Sequence, residues 1–245
     1  MSKDLDRPAL FPVTAWTLVR RVQSGESAPE AAQALESLCG TYWEPVRRYL
    51  KALGCREEES ADVTQDFFAS FLRKEGFHRA DQGLSKLRTY IKMASGRFLA
   101  NHWRNQMTER RGGGVADERI DDLTELPMEE RTLAEHDYDR AWAQAVLGRA
   151  LERLESGYRA RGRERLFEVL KGGLLRPGGL AGGAEVALKL GIPEPRLRLA
   201  VHRARQQLAE ALRAEVAVTV ESAAEVEEEV RYLIDVIAHQ KMKQA

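Results

Sequence analysis

Apolar residues recur at steps of three and four along most of this 245-residue chain, the spacing of helices that bury one face. One such series runs from Ala31 to Leu53, and Gly54 follows where the pattern stops. Alternating runs of β-branched residues, typical of half-buried strands, are nearly absent. The pattern therefore predicts an all-α fold.

The same spacing predicts helices along the rest of the chain. Their expected ranges are about 14–24, 57–74, 84–111, 138–162, 164–171, 184–208 (a helical pair) and 222–240. In the segment 57–74, the expected apolar side consists of Ala61, Phe67 or Phe68, Phe71 and Leu72. The segment 84–111 is long and basic, and it ends at three consecutive glycines.

Residues 112–136 interrupt the helical pattern. They are rich in glycine and acidic residues and lack a sustained period, which predicts a flexible linker. We therefore expect two small helical domains, at 14–112 and 137–220, joined by a flexible acidic linker at 113–136. An acidic amphipathic segment at the end predicts a C-terminal helical extension over 221–245.

Composition argues against several classes of protein. No apolar run approaches the roughly 18 residues of a membrane span, and the first residues do not resemble a signal peptide, so we expect a cytoplasmic protein without a membrane partner. Cys39 and Cys55 are the two cysteines and the five histidines are scattered, so we expect neither a metal nor a cofactor. No motif supplies convergent nucleophile or acid–base residues, so we expect no catalytic residue and no enzyme.

Charge is segregated along the chain, although the net charge is +0. Residues 86–111 carry seven basic side chains against one acid, a local charge of +6, whereas residues 117–139 carry ten acids against two bases, a local charge of −8. Nucleic-acid binding responds to local potential more than to the total charge. The neutral average is therefore compatible with a DNA-binding surface.

The segment "AEVALKLGIPEPRLRLAVHRARQQL", residues 184–208, has the spacing of a helix-turn-helix. A small residue, Ala187, precedes Gly191 by four positions, and Pro193 and Pro195 suit the turn and the start of the second helix. The expected buried side is Leu197, Ala200, Val201, Ala204 and Leu208. The expected outward side is Arg196, Arg198, His202, Arg203 and Gln206, with Arg205 at its edge.

Such an outward side suits the major groove of DNA. Arginine pairs with guanine edges or phosphates, and glutamine pairs with adenine. The alternative is a solvated helix whose arginines only keep it soluble. Because every spacing position matches and the arginines lie on the outward side alone, the pattern favours DNA recognition.

A second basic element is the helix expected over 84–111, where Tyr90, Phe98, His102 and Trp103 alternate with basic residues. Aromatic rings stack on unstacked bases and cations hold the backbone, so this combination suits single-stranded DNA. The alternative is that the rings belong to the core of a small bundle. That alternative is the better interpretation for Phe98, and both remain open for Tyr90 and Trp103.

Four segments, in this order, resemble the extracytoplasmic-function group of bacterial RNA polymerase sigma factors, within the sigma-70 family. "FPVTAWTLV" and "LCGTYWEPVRRYLKALG" are similar to the opening helices of its region 2, and "ADVTQDFFASFL" matches its D-x-x-Q-[DE]-x-F helix. "LRTYIKMASGRFLANHWRNQMTERRGGG" resembles the segment that melts and recognises the −10 promoter element, and the helix-turn-helix resembles region 4. The chain departs from the family at Leu87, where phenylalanine is usual.

The resemblance implies a transcription initiation factor with two promoter-binding regions. Region 2 at 14–112 would bind the melted −10 element through Arg88, Tyr90, Lys92, Arg97, His102, Trp103, Arg104, Arg110 and Arg111. Region 4 at 137–220 would bind the −35 element through Arg196, Arg198, His202, Arg203, Arg205 and Gln206. The implied partners are promoter DNA, core RNA polymerase at its β′ clamp and β flap, and an anti-sigma or other regulatory protein.

The core-polymerase contacts implied by the resemblance are Asp62, Gln65, Asp66 and Phe68. The alternative for these residues is that Phe68 belongs to the core and the acids form a solvated face. Two rival functions also stay open. A sigma-like decoy would bind a sigma antagonist without DNA and should lack basic residues on both DNA faces, whereas a free-standing helix-turn-helix regulator should dimerise on paired half-sites.

Overall fold

The computed structural model describes residues 29–73, 86–110, 128–176, 178–220 and 222–242, and over these ranges it is all-helical. The eight helices of the described ranges are α1 (Pro29–Ala52), α2 (Ser60–Arg73), α3 (Leu87–Arg110), α4 (Met128–Arg159), α5 (Glu164–Leu174), α6 (Gly183–Lys189), α7 (Glu194–Ala217) and α8 (Ala223–Met242). The predicted all-α class is confirmed. The helix predicted over 14–24 lies outside the described residues.

The chain divides into two compact units. The described residues of Met1–Ala145 and Ala217–Ala245 form the first unit, and Val146–Val216 forms the second. The sequence had assigned 137–145 to the second domain and 221–245 to a separate extension. In the structure α8 belongs to the first unit, because Val230 and Leu233 bury their side chains there.

The first unit is built on α1, α2 and α3, which pack against one another. Tyr42 and Leu50 of α1 and Leu87 and Ile91 of α3 are fully enclosed. Leu87 therefore occupies a core position, which explains why an aliphatic side chain is accepted there.

The buried side of α2 includes the predicted Phe67, Phe68 and Phe71, but it differs from the prediction in the first turns. Ala61 is exposed, while Val63 and Thr64 are buried. The buried positions of α2 follow steps of three and four from Ser60, so Ala61 lies off that stripe. The Thr64 hydroxyl donates to the Ser60 carbonyl at 2.6 Å, which satisfies a polar group that the pattern had not placed in the core. The side chain of Leu72 lies outside the described residues.

Helix α4 begins at Met128, ten residues before the predicted start at Tyr138. Residues 128–136 of the predicted linker are therefore helical, and residues 113–127 lie outside the described ranges. Glu129 and Glu130 occupy the first turn, where the helix dipole favours negative charge, and Ala134 is fully buried. The linker prediction was wrong for residues 128–136, because acidic residues are also common in the first turn of a helix.

The second unit contains α5, α6, the C-terminal part of α4 and most of α7. Tyr158 of α4 packs against Phe167 of α5 with ring centroids 5.4 Å apart. Gly173 in the last turn of α5 lies so close to Leu180 that an added β-carbon would stand 2.8 Å from the Leu180 Cγ. In the described part of the chain, no helix combines the length and the apolar character needed to cross a membrane.

Candidate nucleic-acid interface

The turn of the helix-turn-helix has the predicted geometry. Gly191 adopts a left-handed conformation with φ 66°, and its N–H donates to the Leu188 carbonyl at 3.1 Å. The Ile192 N–H donates to the Ala187 carbonyl at 3.1 Å, and the Ala187 side chain is buried. A residue with a β-carbon would be strained at Gly191, because L-residues rarely adopt this backbone conformation.

The two prolines fit the start of α7. The Pro193 carbonyl accepts hydrogen bonds from the N–H groups of Arg196 and Leu197, at 2.9 and 3.2 Å. Pro195 lies in the first turn of α7, where a backbone N–H would lack an intrahelical acceptor. The second helix therefore begins within three residues of Gly191.

The two sides of α7 differ as the sequence predicted. Leu197, Val201, Ala204 and Leu208 are buried, and Ala200 is half-buried. The side chains of the opposite side are exposed, namely Arg196, Arg198, His202, Arg203 and Gln206. The sequence thus placed the apolar and basic sides of this helix correctly.

Arg198 is the outward arginine with a defined acidic neighbour. Its Nη2 lies 2.6 Å from the Glu194 Oε1, one turn earlier, and its side chain is 76% exposed. Exposed pairs of this kind contribute only about 0.3–0.5 kcal/mol. A phosphate or a base edge could therefore replace Glu194 at little cost.

Arg205 has an intramolecular role that the sequence did not predict. Its Nε donates to the Leu174 carbonyl at 3.2 Å and its Nη2 to the Gly173 carbonyl at 2.7 Å. Its Nη2 also donates to the Arg176 carbonyl. Gly173 and Leu174 belong to the last turn of α5, where carbonyls lack helical partners, and Arg176 follows two residues later. Arg205 therefore connects α7 to α5, whereas the sequence expected a DNA contact.

The aromatic residues of α3 are half-buried. The Phe98 ring meets Phe67 edge-on at 5.7 Å, Tyr90 lies 5.9 Å from Phe71, and Trp103 covers Gly54. Each ring therefore contacts the core and keeps part of its surface accessible. The contact with Phe67 agrees with the core interpretation of Phe98, and stacking of Tyr90 and Trp103 on DNA bases stays a prediction.

The basic residues of α3 fall into two groups. Arg97 is exposed, and Arg104 is half-buried with its Nη1 donating to Asn101 at 3.1 Å. His102 is half-buried and forms a 2.8 Å hydrogen bond with Gln106. The Arg110 side chain and Arg111 lie outside the described residues. Arg88 and Lys92 make up the second group, which is enclosed by acidic residues.

Arg88 is held in a buried ion cluster. Its Nε and Nη2 donate to the two oxygens of the Glu229 carboxylate, at 3.0 and 3.2 Å, and its Nη1 donates to Asp139 at 3.1 Å. The exposed fractions of the Arg88 and Glu229 side chains are 11% and 2%. The guanidinium also lies over the rings of Tyr232 and Trp142, at 4.1 and 5.1 Å from their centroids.

The same cluster extends to two lysines. The Lys92 Nζ lies 3.5 Å from both Glu135 and Asp139, and the Lys86 Nζ lies 2.9 Å from Glu229. The sequence predicted Arg88 and Lys92 as DNA contacts, but in this conformation their charges are paired within the protein. We call Lys86, Arg88, Lys92, Glu135, Asp139, Glu228, Glu229 and Tyr232 the ion cluster.

Electrostatics raise the pKa values of two members of the ion cluster, Arg88 and Tyr232. Burial alone would lower the pKa of Arg88, but the hydrogen bonds and charge of Glu229 and the charge of Asp139 raise it above its ordinary value. Burial, helped by the hydrogen bond to Asp139, raises the pKa of Tyr232 to about 12. Tyr232 is therefore a neutral donor at physiological pH, and its hydroxyl donates to Asp139 at 2.7 Å.

Helix α2 presents the residues expected to contact core polymerase. Asp62, Gln65 and Asp66 are exposed. Phe68 is 5% exposed and stacks on Trp43 with ring centroids 5.8 Å apart. The structure therefore places Phe68 in the core behind the acidic face.

Sequence reasoning missed the acidic half of the ion cluster. Asp139 and Glu229 lie 51 and 141 residues from Arg88, and no local pattern indicates a pairing over that distance. The one available signal was the run Glu227–Glu228–Glu229 near Tyr232 in the acidic amphipathic segment. Such a run is more often a solvated face, so it did not indicate a buried partner.

Within the described ranges, no group of three or more His, Cys, Asp or Glu side chains is arranged to hold a metal ion. An open groove of about 340 Å³ in the second unit is lined by Arg153, Arg161, Gln207 and Glu210 among others. Arg153 is paired with Glu215, and Arg161 lies over the Tyr158 ring. No family model, no curated protein and no solved structure matches this chain, so its function has to be inferred from these residues.

Proposed function

We propose that this chain is a sigma-type transcription initiation factor, which binds core RNA polymerase and directs it to specific promoters. The helix-turn-helix of the second unit binds the −35 duplex, and α3 of the first unit binds the melted −10 strand. The factor carries out no chemistry itself and acts in the cytoplasm, where polymerase and promoter DNA are found.

One observation carries the proposal, namely the two-sided character of α7. Its apolar side is buried, and three arginines, a histidine and a glutamine project outward between residues 196 and 206. Recognition helices enter the major groove by their N-terminal residues, and arginine is the most frequent contact to guanine. Arg196 and Arg198 stand at that end of α7.

The acidic face of α2 supports the polymerase part of the proposal. Asp62, Gln65 and Asp66 are spaced so that they share one side of the helix, and all three are exposed. Phe68 and Trp43 stack behind this side and fix the orientation of α2. A rigid helix with a fixed acidic side suits a basic partner surface better than a flexible loop would.

The decisive experiment is transcription in vitro with bacterial core RNA polymerase and a library of randomised promoters. The wild-type chain is expected to select a −35 and a −10 sequence. Replacing Arg196, Arg198, His202 and Arg203 together by alanine is expected to abolish selection at −35, because base and phosphate contacts are lost.

The matched control removes the same positive charge from another surface of the second unit. Arg163, Arg165 and Lys171 are exposed, and their replacement by alanine should leave promoter selection intact. Failure of the wild-type chain to direct transcription from any promoter would refute the proposal. Equal loss of promoter selection in the control variant would also refute it, since the loss would then follow from the lower positive charge and not from the α7 surface.

The pairing of Arg88 and Lys92 favours a second candidate function, a sigma-like decoy that binds a sigma antagonist without DNA. In a decoy, the basic residues of the first unit serve only the fold. Such a protein would bind neither promoter duplex nor single-stranded DNA, and the exposed arginines of α7 would be dispensable. The transcription experiment separates this candidate from the proposed function.

A further inference from the structure

We propose that α8, together with the first part of α4, occupies the single-stranded DNA site of the first unit and must leave before DNA can bind there. The inference rests on the proposed function, because it concerns the −10 site. It makes Glu229 and Asp139 internal competitors of DNA phosphates. The chain would then be held in a closed state until core polymerase or promoter DNA displaces α8.

The first argument is the geometry at Arg88. The Glu229 carboxylate binds the guanidinium with two oxygens, as a phosphate does in bidentate contacts. Glu228 and Asp139 supply further oxygens to Lys86 and Lys92. Three cations at and just before the start of α3 are thus met by carboxylates where a nucleic-acid backbone would bring phosphates.

The second argument is the aromatic ring above the guanidinium. Tyr232 lies 4.1 Å from the Arg88 guanidinium carbon, within the range of cation–π stacking. Single-stranded DNA sites combine such stacking of bases with backbone cations. Tyr232 therefore stands where a base would stack, so α8 matches both features of the ligand.

The third argument is that only three side chains of α8 are buried among residues 223–238. Glu229, Val230 and Leu233 are buried, whereas the neighbouring side chains Glu228, Arg231 and Ile234 are exposed. A buried ion pair adds little net stability, because desolvation offsets the attraction. A strong anionic ligand that offers Arg88 equivalent contacts can therefore displace the helix.

The test measures binding of the full-length chain to a fluorescein-labelled 20-nucleotide single strand of mixed sequence, by fluorescence anisotropy. Glu229→Gln removes the competing charge but keeps the side-chain shape. We expect about tenfold tighter binding, the value of one charged hydrogen-bonding contact. Glu130→Gln is the matched control, since Glu130 is an exposed residue of α4 outside the ion cluster, and it should change nothing.

A second substitution shows whether Arg88 causes the gain. Arg88→Ala is expected to weaken the Glu229→Gln variant about tenfold and the wild-type chain much less, because the wild-type guanidinium is already occupied. Equal effects in both backgrounds would refute the proposal. Binding by Glu229→Gln that is no tighter than that of Glu130→Gln would refute it as well.

Circular dichroism checks that the variants fold. If Glu229→Gln does not fold, the same binding measurement on Glu228→Gln tests the proposal. Glu228 is exposed and pairs with Lys86 at the edge of the ion cluster. A smaller gain in the same direction supports the proposal, and no gain overturns it. This inference can fail while the proposed function holds. In that case the wild-type chain still directs transcription from promoters, but Glu229→Gln does not change its binding to single-stranded DNA.

Discussion

Glu229 holds Arg88 by both carboxylate oxygens, at 3.0 and 3.2 Å, across 141 positions of the sequence. The pair lies in the first unit with 11% of the arginine and 2% of the glutamate side chain exposed. It joins the last described helix to the start of α3. This contact makes α8 part of the first unit, although the sequence indicated a separate extension.

The Arg88–Glu229 pair should be strongly coupled in stability. Arg88→Met alone leaves the buried Glu229 carboxylate without its main partner, and we expect a loss of about 3–5 kcal/mol in the free energy of unfolding. Arg88→Met with Glu229→Leu should recover most of that loss, because no buried charge is then left alone. Urea unfolding of the four proteins of the cycle measures the coupling. A double variant as unstable as the sum of the single ones would contradict it.

Alanine substitutions at Arg205 and Arg203 should have separate effects, the first on stability and the second on DNA binding. Arg205→Ala removes three hydrogen bonds to carbonyls near the end of α5 and should cost about 1–3 kcal/mol in unfolding free energy. Arg203→Ala, at an exposed position, should stay within about 0.5 kcal/mol of wild type. In promoter-duplex binding, Arg203→Ala should lower the salt slope by about one, as expected for a lost phosphate contact. A stable Arg205→Ala variant would show that the link to α5 is dispensable.

The turn of the helix-turn-helix should depend on glycine at one position. Gly191→Ala should cost about 1–2 kcal/mol, because φ 66° is left-handed and no steric clash adds to the backbone strain. Gly148→Ala is the control in the same unit, since Gly148 lies inside α4 with open space around it. That substitution should stabilise by up to about 1 kcal/mol. Thermal unfolding followed by circular dichroism compares the two, and equal effects would exclude a special role for the turn.

The acidic face of α2 should be needed for binding to core polymerase. Asp62→Arg with Asp66→Arg reverses two exposed charges, so we expect a folded protein that no longer co-purifies with core polymerase. Glu58→Arg, at an exposed position just before α2, is the control and should bind normally. Undiminished binding by the double variant would remove α2 from the proposed interface. Phe68→Ala is a poor probe of this contact, because Phe68 is buried.

The helices and the helix-turn-helix could be predicted from the sequence because their causes are local. Periodic apolar residues fix which side of α7 is buried, and Gly191 has the freedom that its turn requires. The same local logic placed the phenylalanines of α2 correctly but failed in its first turns, where Ala61 is exposed and Thr64 is buried. A small residue and a hydroxyl both tolerate either environment, so the pattern could not separate them.

The tertiary structure alone decided which basic residues are available. Arg88 and Arg97 look equivalent in the sequence, yet Arg88 is enclosed by α4 and α8 and Arg97 is exposed. Arg205 likewise looks like its neighbour Arg203 until α5 brings carbonyls to it. Periodicity predicts which side of a helix is buried, but not which residues cover that side. The partner of an arginine depends on which distant carboxylate or carbonyl the fold brings within about 3 Å. The sequence alone therefore determined the helices and the basic side of α7, and long-range packing determined which charges of α3 face solvent.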